Sequence, residues 1–167
     1  KVLTQPVITE LGGAFMNSPL SKGQINSFVE KNNIDMNLYE SQDYHSYNDF
    51  FTRTIKDGVR HIDMDENALI APCDSKLTVY PIEDTLQLKI KNSVYTIEDL
   101  LMSPSLADEY RGGLCLIFRL TVDDYHHYHF IDDGTAEKGH FIKGIFHTVN
   151  PIASDYYPIY KTNSRSY

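Results

Sequence analysis

Cysteine is scarce in this chain. Its 167 residues hold two, Cys73 and Cys115, with no C-x-x-C pair between them. That excludes a disulfide framework and makes a reducing cytosol the expected compartment. Long apolar runs are also missing. The clearest, such as Leu114 to Phe118, are about five residues long, whereas a membrane span needs roughly 20. Nothing is expected to cross a bilayer, although lying on one stays open. No sustained apolar stretch follows Lys1 to Pro6, so no signal peptide is expected. Positive charge is in short supply too, with 15 Lys and Arg against 23 Asp and Glu and a net charge of −8. Phosphate neutralisation needs clustered cations, so nucleic acid is excluded as an expected partner. The deficit lies towards the back. Residues 1–60 carry 6 basic and 7 acidic groups, and residues 61–167 carry 9 and 16. Any contact with anionic lipid is therefore expected at the front.

What is present is an ordinary globular mixture, 41% apolar and 23% charged, long enough for a core. The chain changes character near residue 60. In the first part, Ser21 with Gln24 three places on forms a capping-box pattern. Ile25, Phe28 and Val29 follow at helical spacing, and Asn32 and Asn33 end the helix. Ser46 caps a second short helix carrying Phe50, Phe51 and Ile55, with Asp57 and Gly58 as its stop. The second part reads mainly as strands: Ala68 to Pro72, Lys76 to Tyr80, Leu86 to Ile90, Val94 to Thr96, Leu114 to Leu120 and Lys138 to Thr148, the last interrupted at Gly144. Asn92 and Ser93 supply a turn, Ile97 to Met102 a helical turn, and Asp132 to Gly134 another turn. The expectation is an α+β fold, with short N-terminal helices followed by a mostly antiparallel β-rich core. Residues 1–60 form the helical segment, and residues 61–167 form the β-rich core.

Histidine is concentrated. Five of the seven lie between 126 and 147: His126, His127, His129, His140 and His147. The densest stretch runs from Asp123 to Phe130. On an extended strand, Tyr125, His127 and His129 share one face, while Asp124, His126, Tyr128 and Phe130 share the other. Imidazole titrates near neutrality and serves proton transfer and metal binding equally well. Half-exposed strand residues are the plain alternative. Spacing leaves two functional readings open, a metal site through His127 and His129 and a proton-transfer cluster of Asp124, His126 and His129. A second place of interest is Pro72-Cys73-Asp74-Ser75, where Asp74 alone reads as an Asx-turn carboxylate. Cys73 reads as a small buried residue rather than a nucleophile. A third is Gly144 to Pro151, a strand leading into an Asn-Pro turn.

Taken in order, these pieces resemble the phosphatidylserine decarboxylase family. The similar features are Phe50-Phe51-Thr52-Arg53, then Pro72-Cys73-Asp74, then Asp124 to His129, then Gly144 to Pro151, and finally Asn163-Ser164-Arg165. F-F-x-R alone is a weak motif. The D-Y-H-x-x-H run followed by G-x-x-x-x-V-N-P is specific, and the ordered set runs from about residue 45 to the last residue. The resemblance implies a pyruvoyl-dependent decarboxylase made as a proenzyme. Such a protein cleaves itself at a serine near its C-terminus, giving a β chain and a pyruvoyl-bearing α chain. It converts phosphatidylserine to phosphatidylethanolamine and carbon dioxide. Asp74 then matches the catalytic aspartate, supporting His129, which activates the serine. His126 handles the substrate carboxylate or a proton, and Asp124 is its neighbouring partner. Gly144, Val149, Asn150 and Pro151, together with His127, shape the substrate pocket. Phe50, Phe51 and Arg53 join the N-terminal helices to the core. A cytoplasmic enzyme peripheral on the membrane is implied, with Phe15, Met16, Leu20, Ile25 and Phe28 available for lipid contact or, alternatively, packing the short helices on the core, and a homodimer is expected by analogy.

Three departures stand out. Ser75 stands where the family has Gly, His127 where it has Arg, and Ser164 where it has an acidic residue, so the expected substrate is phosphatidylserine or a close analogue. No Gly-Ser dipeptide occurs in the 167 residues, so the pyruvoyl serine lies outside them and this chain alone is expected to be inactive. Two other readings stand beside this one. The first is a β-barrel metalloenzyme using His127, His129 and His140 or His147. The second is an inactive family member that binds lipid.

Overall fold

The computed structural model describes residues 6–84, 87–90, 93–136, 138–145 and 158–167. It is an α+β structure of short helices and small sheets, as the sequence predicts. Contacts gather into two compact units. One comprises 1–10, 78–117 and 136–167, and the other comprises 11–77 and 118–135.

The first unit is built on a hairpin. Strands β2 (Gln87–Ile90) and β3 (Ser93–Thr96) pair antiparallel with Leu88 opposite Tyr95. Alternation sends both of these into the core, each 1% exposed, while Val94 on the other face is 50% exposed. Ile82, Ile97 and Ala107 complete the cluster, with Tyr80, Cys115 and Tyr160 packed around it. Thr96 then turns strand into helix. Its hydroxyl accepts the Asp99 amide at 2.9 Å and starts α4 (Ile97–Leu101). Ser103 does the same for α5 (Pro104–Glu109), where Pro104 fits the first helical position. Strand β1 (Lys76–Pro81) pairs with β4 (Leu114–Arg119). Beyond them the Ile82 amide donates to Gly113 and the Gly112 amide to Ile82, both at 2.9 Å.

The C-terminal end of this unit is tied down by Arg165. The helix α6 (Ile159–Thr162) leads into β6 (Arg165–Ser166), which pairs antiparallel with β5 (Phe141–Ile142). The Arg165 guanidinium donates to four carbonyls: Leu100 (2.7 Å), Asp99 (2.7 Å), Lys161 (3.1 Å) and Asn163 (3.1 Å). The first two belong to the last turn of α4, whose carbonyls have no helical partner. Gly144 is packed here as well. A Cβ at this position would lie 2.4 Å from the Thr162 carbonyl oxygen and 2.4 Å from the Asn163 carbonyl carbon, so only glycine fits. Its amide donates to the Ser164 hydroxyl at 3.1 Å.

The second unit is helical and aromatic. From Leu11, the later part of helix α1 (Pro6–Met16), it continues through a 3-10 turn (Pro19–Gln24), α2 (Ile25–Asn32), a second 3-10 turn (Met36–Leu38) and α3 (Tyr47–Phe51). Phe50 is fully buried and is met edge-on by Tyr44 at 5.4 Å and Phe28 at 5.9 Å. Ile25 and Phe28 therefore belong to this cluster, not to a lipid-facing surface. Asn33 ends α2 in the left-handed conformation, as predicted.

Several local expectations are corrected. Ser21 is no N-cap. It is buried inside the 3-10 turn, donates to Met16 and Ser18, and accepts the Tyr47 amide, so its hydroxyl holds distant segments together. Helix α3 stops at Phe51, before Ile55, because the chain there bridges Tyr39 and exchanges amide bonds with Leu38 and Glu40. Residues 68–72 form no strand. The strand expected over 138–148 is reduced to β5 and a parallel bridge from Ile145 to Asn163, and residues 146–148 lie outside the described residues. The turn at Asn92 lies outside them too.

Because one planar cation serves four carbonyls, Arg165→Met is expected to destabilise the protein by about 2–3 kcal/mol, the range for hydrogen bonds to charged groups. Urea unfolding of the full-length protein checks this. Arg165→Lys should recover no more than part of the loss, because an ammonium lacks the fork geometry.

Candidate active site

The site begins at the end of α3. Ser46 accepts the Asp49 amide at 3.1 Å, and the Asp49 carboxylate accepts the His45 amide at 2.7 Å. This reciprocal cap fixes the direction in which Phe51, Thr52 and Arg53 leave the helix. Each of the three then holds one point of the loop 121–127. The Phe51 ring lies 4.2 Å from the His126 ring. The Thr52 carbonyl accepts from His127 Nε2 at 3.1 Å. Arg53 Nη2 donates to the Asp123 carbonyl at 3.3 Å. Arg53 is 1% exposed, with its guanidinium 4.3 Å from the Tyr39 ring centre and 5.0 Å from that of Phe50. Nη2 also donates to the Tyr39 hydroxyl at 3.2 Å, whereas Nε and Nη1 have no partner.

The histidine run is a loop, which corrects the strand expected over 123–130. The cause is local. Asp124 captures the Thr121 amide and hydroxyl with its carboxylate, and its own amide returns to the Thr121 carbonyl at 3.1 Å. Short polar side chains that take backbone donors in this way replace a sheet ladder with a turn. His126 Nε2 donates to the same Thr121 carbonyl at 2.8 Å. His127 stacks on Tyr125, with rings 4.5 Å apart and 11° from parallel. The His129 amide donates to the Pro72 carbonyl at 2.9 Å, which brings the histidine loop against the Pro72-Cys73-Asp74 segment.

These two segments and the stretch 60–71 enclose a cavity of about 530 Å³. Asp74, Tyr125, His127, Tyr128, His129 and Arg60 line it, with Ile62, Leu69 and Ile70 as apolar wall. Asp74 is half-buried and does not cap its own turn. Arg60 grips it, with Nε at 2.8 and 3.1 Å from the two oxygens and Nη2 on Oδ2. That side-chain pairing is the main cause holding the Asp74 carboxyl below its ordinary range. The Tyr125 amide adds to it, and burial opposes it. His129 donates from Nδ1 to the Phe130 carbonyl at 2.8 Å. A neutral imidazole in that tautomer carries its lone pair on Nε2, which has no hydrogen-bond partner among the described residues.

Of the residues singled out from sequence, Asp74, His127 and His129 thus line one cavity. The hydrogen bonds of Asp74 and His129 go to Arg60 and Phe130, not to each other. Asp124 and His126 are not among the lining residues, and both are engaged with Thr121. Gly144 belongs to the other unit. Val149, Asn150, Pro151 and His147 lie outside the described residues. The His140 ring lies 5.1 Å from that of Tyr167, tilted by 34°, also in the other unit. Among the described residues no three His, Cys, Asp or Glu side chains are grouped to hold a metal ion. Both cysteines are free thiols, and burial pushes the Cys115 thiol up. Arg60 is the residue that sequence reasoning missed. It follows Gly58, whose φ of 78° turns the chain, in a polar stretch with no periodicity.

Truncating Arg53 to Ala removes two cation–π contacts and the tie to Asp123. Global stability is expected to change little, because the buried guanidinium's desolvation and its two unpartnered nitrogens offset those contacts. Hydrogen exchange should show the amides of 121–127 losing protection before those of β2 and β3. Equal loss in both would contradict the tie.

The family model described as phosphatidylserine decarboxylase matches residues 47–167. Phosphatidylserine decarboxylase proenzyme 2 of Clostridium acetobutylicum is 47% identical over 161 residues, covering 96% of this chain and 55% of the relative. The phosphatidylserine decarboxylase proenzyme of Clostridium perfringens is 40% identical over 154 residues, covering 90% and 52%. That of Clostridium tetani is 42% identical over 149 residues, covering 87% and 50%. The chain spans about half the length of the curated relatives it matches. With the family model matching residues 47–167 and relatives matching most of its length, the chain belongs to the phosphatidylserine decarboxylase family.

Proposed function

We propose that this chain is part of the β chain of a pyruvoyl-dependent decarboxylase that converts phosphatidylserine, or a close analogue, to phosphatidylethanolamine and carbon dioxide. The carrying observation is His129 at the cavity wall, with Nδ1 held by the Phe130 carbonyl and Nε2 open. That is where a general base must keep its lone pair. Asp74 lies in the same wall as a carboxylate and favours the imidazolium that forms when Nε2 takes a proton.

In this reading His129 takes the hydroxyl proton of a serine supplied by chain outside the 167 residues. The serine oxygen then attacks the preceding carbonyl carbon, and the peptide C–N bond breaks. The ester formed eliminates, freeing the C-terminal carboxylate of the β chain and leaving a dehydroalanine at the start of the α chain; its imine tautomer would take up water and release ammonia to give the pyruvoyl group. When bound, that group supplies the electron sink for loss of carbon dioxide. The donor set here fits such a site. The cavity offers a cation at Arg60, a base at His129 and apolar wall, which orient a carboxylate and limit water. His126 keeps Nδ1 for proton transfer while its Nε2 donates to Thr121. Asp124 acts through that turn, and Gly144, Val149, Asn150 and Pro151 are assigned to the pocket by resemblance.

The enzyme is proposed to be cytoplasmic and peripheral on membrane, with residues 1–60 as the contact. Among the described residues no helix is long and apolar enough to cross a bilayer. Val7, Leu11, Phe15 and Leu20 are exposed along the first two elements, between 43% and 82%. Such an unpartnered apolar face suits an interface with lipid. A homodimer is part of the same proposal, by analogy.

Intact mass of the complete gene product under denaturing conditions tests the reading. Two species should sum to the translated mass apart from the serine-to-pyruvoyl change, and hydroxylamine should abolish decarboxylation while chelator does not. His129→Ala should leave one unprocessed species. Wild-type protein that stays whole, or His129→Ala protein that cleaves at the wild-type rate, would overturn it.

A further inference from the structure

We propose that Arg60 is a positioning residue of this site, holding the Asp74 carboxylate in one orientation at the cavity wall. The inference rests on the function proposed above, in which Asp74 supports His129. Three observations lead to it. Arg60 meets both carboxylate oxygens, so it fixes rotation about the Asp74 side chain as well as position. It is the one Lys or Arg among the residues lining the cavity, so no second lining cation can take its place. Its pairing also leaves the carboxylate with acceptor capacity, because an ionised carboxyl group has about four lone-pair sites.

The titratable groups facing Asp74 across the cavity are few. His127 and His129 come from the histidine loop with Tyr125 and Tyr128, His61 and Asp63 from the stretch after Arg60, and Cys73 from its own turn. Of these, Asp63 is the other carboxylate and raises the need for a fixed counter-charge. Arg60 therefore sets both where the Asp74 charge sits and how far the pH must fall before it is lost. The sign follows directly. Arg60 depresses the Asp74 carboxyl, so a step that needs the carboxylate survives to lower pH with Arg60 than without it.

The test is self-cleavage of the full-length proenzyme, followed in time across pH for wild type, Asp74→Asn, Arg60→Gln and Arg60→Lys. Arg60→Gln should cleave more slowly, by up to about 100-fold for a misplaced group, with its acid limb moved to higher pH. Arg60→Lys should return the acid limb towards wild type, because the charge is kept, and recover only part of the rate, because the fork is not. Arg60 is exposed at the protein surface, and thermal unfolding of each variant checks that the fold survives. If Arg60→Gln does not fold, the rate of Arg60→Lys decides: slower cleavage with an intact fold supports the positioning role, and cleavage at the wild-type rate overturns it. An unmoved acid limb in Arg60→Gln, whatever its rate, overturns the positioning role while leaving the decarboxylase reading intact. Wild-type cleavage by Asp74→Asn overturns the reading on which the inference rests.

Discussion

A guanidinium buried to 1% exposure with no carboxylate paired to it among the described residues is a costly thing to fold around, and the histidine loop is organised by one. Removing Arg53 from water costs several kcal/mol in effective terms. Two aromatic faces return roughly 2 kcal/mol each when desolvated. Nε and Nη1 stay unpartnered, at about 1–3 kcal/mol apiece. The balance is no better than neutral, so Arg53 cannot be explained as a net source of stability. What it supplies is position. Its Nη2 reaches the Asp123 carbonyl from the residue next to Thr52, which holds His127, and two from Phe51, which packs on His126. Three successive residues leaving one short helix thus fix three points of one loop.

That loop could not have been a strand, and the reason lies in its own side chains. Alternation in Asp123 to Phe130 suggests two faces, and three of the residues assigned to one face, Tyr125, His127 and His129, do line the cavity. The backbone nonetheless turns, because Thr121 and Asp124 satisfy each other's donors within four residues. Periodicity groups Tyr125, His127 and His129 but places Tyr128, which lines the same cavity, on the opposite face, because it presumes an extended backbone. The same limit explains Ala68 to Pro72, whose apolar residues became cavity wall rather than a strand.

Elsewhere the local chemistry was readable because one residue decides each feature. Leu88 and Tyr95 face inward because strand alternation admits no other register with a buried face. Ser46 caps its helix and Asn33 ends another as their side chains dictate. Ser21 was misread because its hydroxyl serves Met16, Ser18 and the amide of Tyr47, a partner 26 residues away. Arg60 was missed for the same reason. Its role is defined by Asp74, 14 residues on, and nothing in its neighbours announces a bidentate pair. Of the site, motif order located Asp74 and His129, and long-range pairing supplied what surrounds them.

The hydrogen bonds of His129 and Asp74 bear on how the pair can work. A carboxylate bonded to the imidazole would both fix its tautomer and stabilise its cation. Here the two tasks have separate providers. The Phe130 carbonyl fixes the tautomer, and being neutral it gives the imidazolium less than a full negative charge would. Under the proposed function that charge would come through space from Asp74, in a cavity with apolar wall beside it. Such a contribution depends on the carboxylate staying ionised and staying put, and a partner that grips both of its oxygens meets both conditions. The arginine partly cancels the field it stabilises, so what reaches His129 is a dipole rather than a bare charge. A dipole's field falls off faster with distance and depends on orientation. That is why the geometry of the Arg60–Asp74 pair, and not merely its presence, governs what His129 experiences.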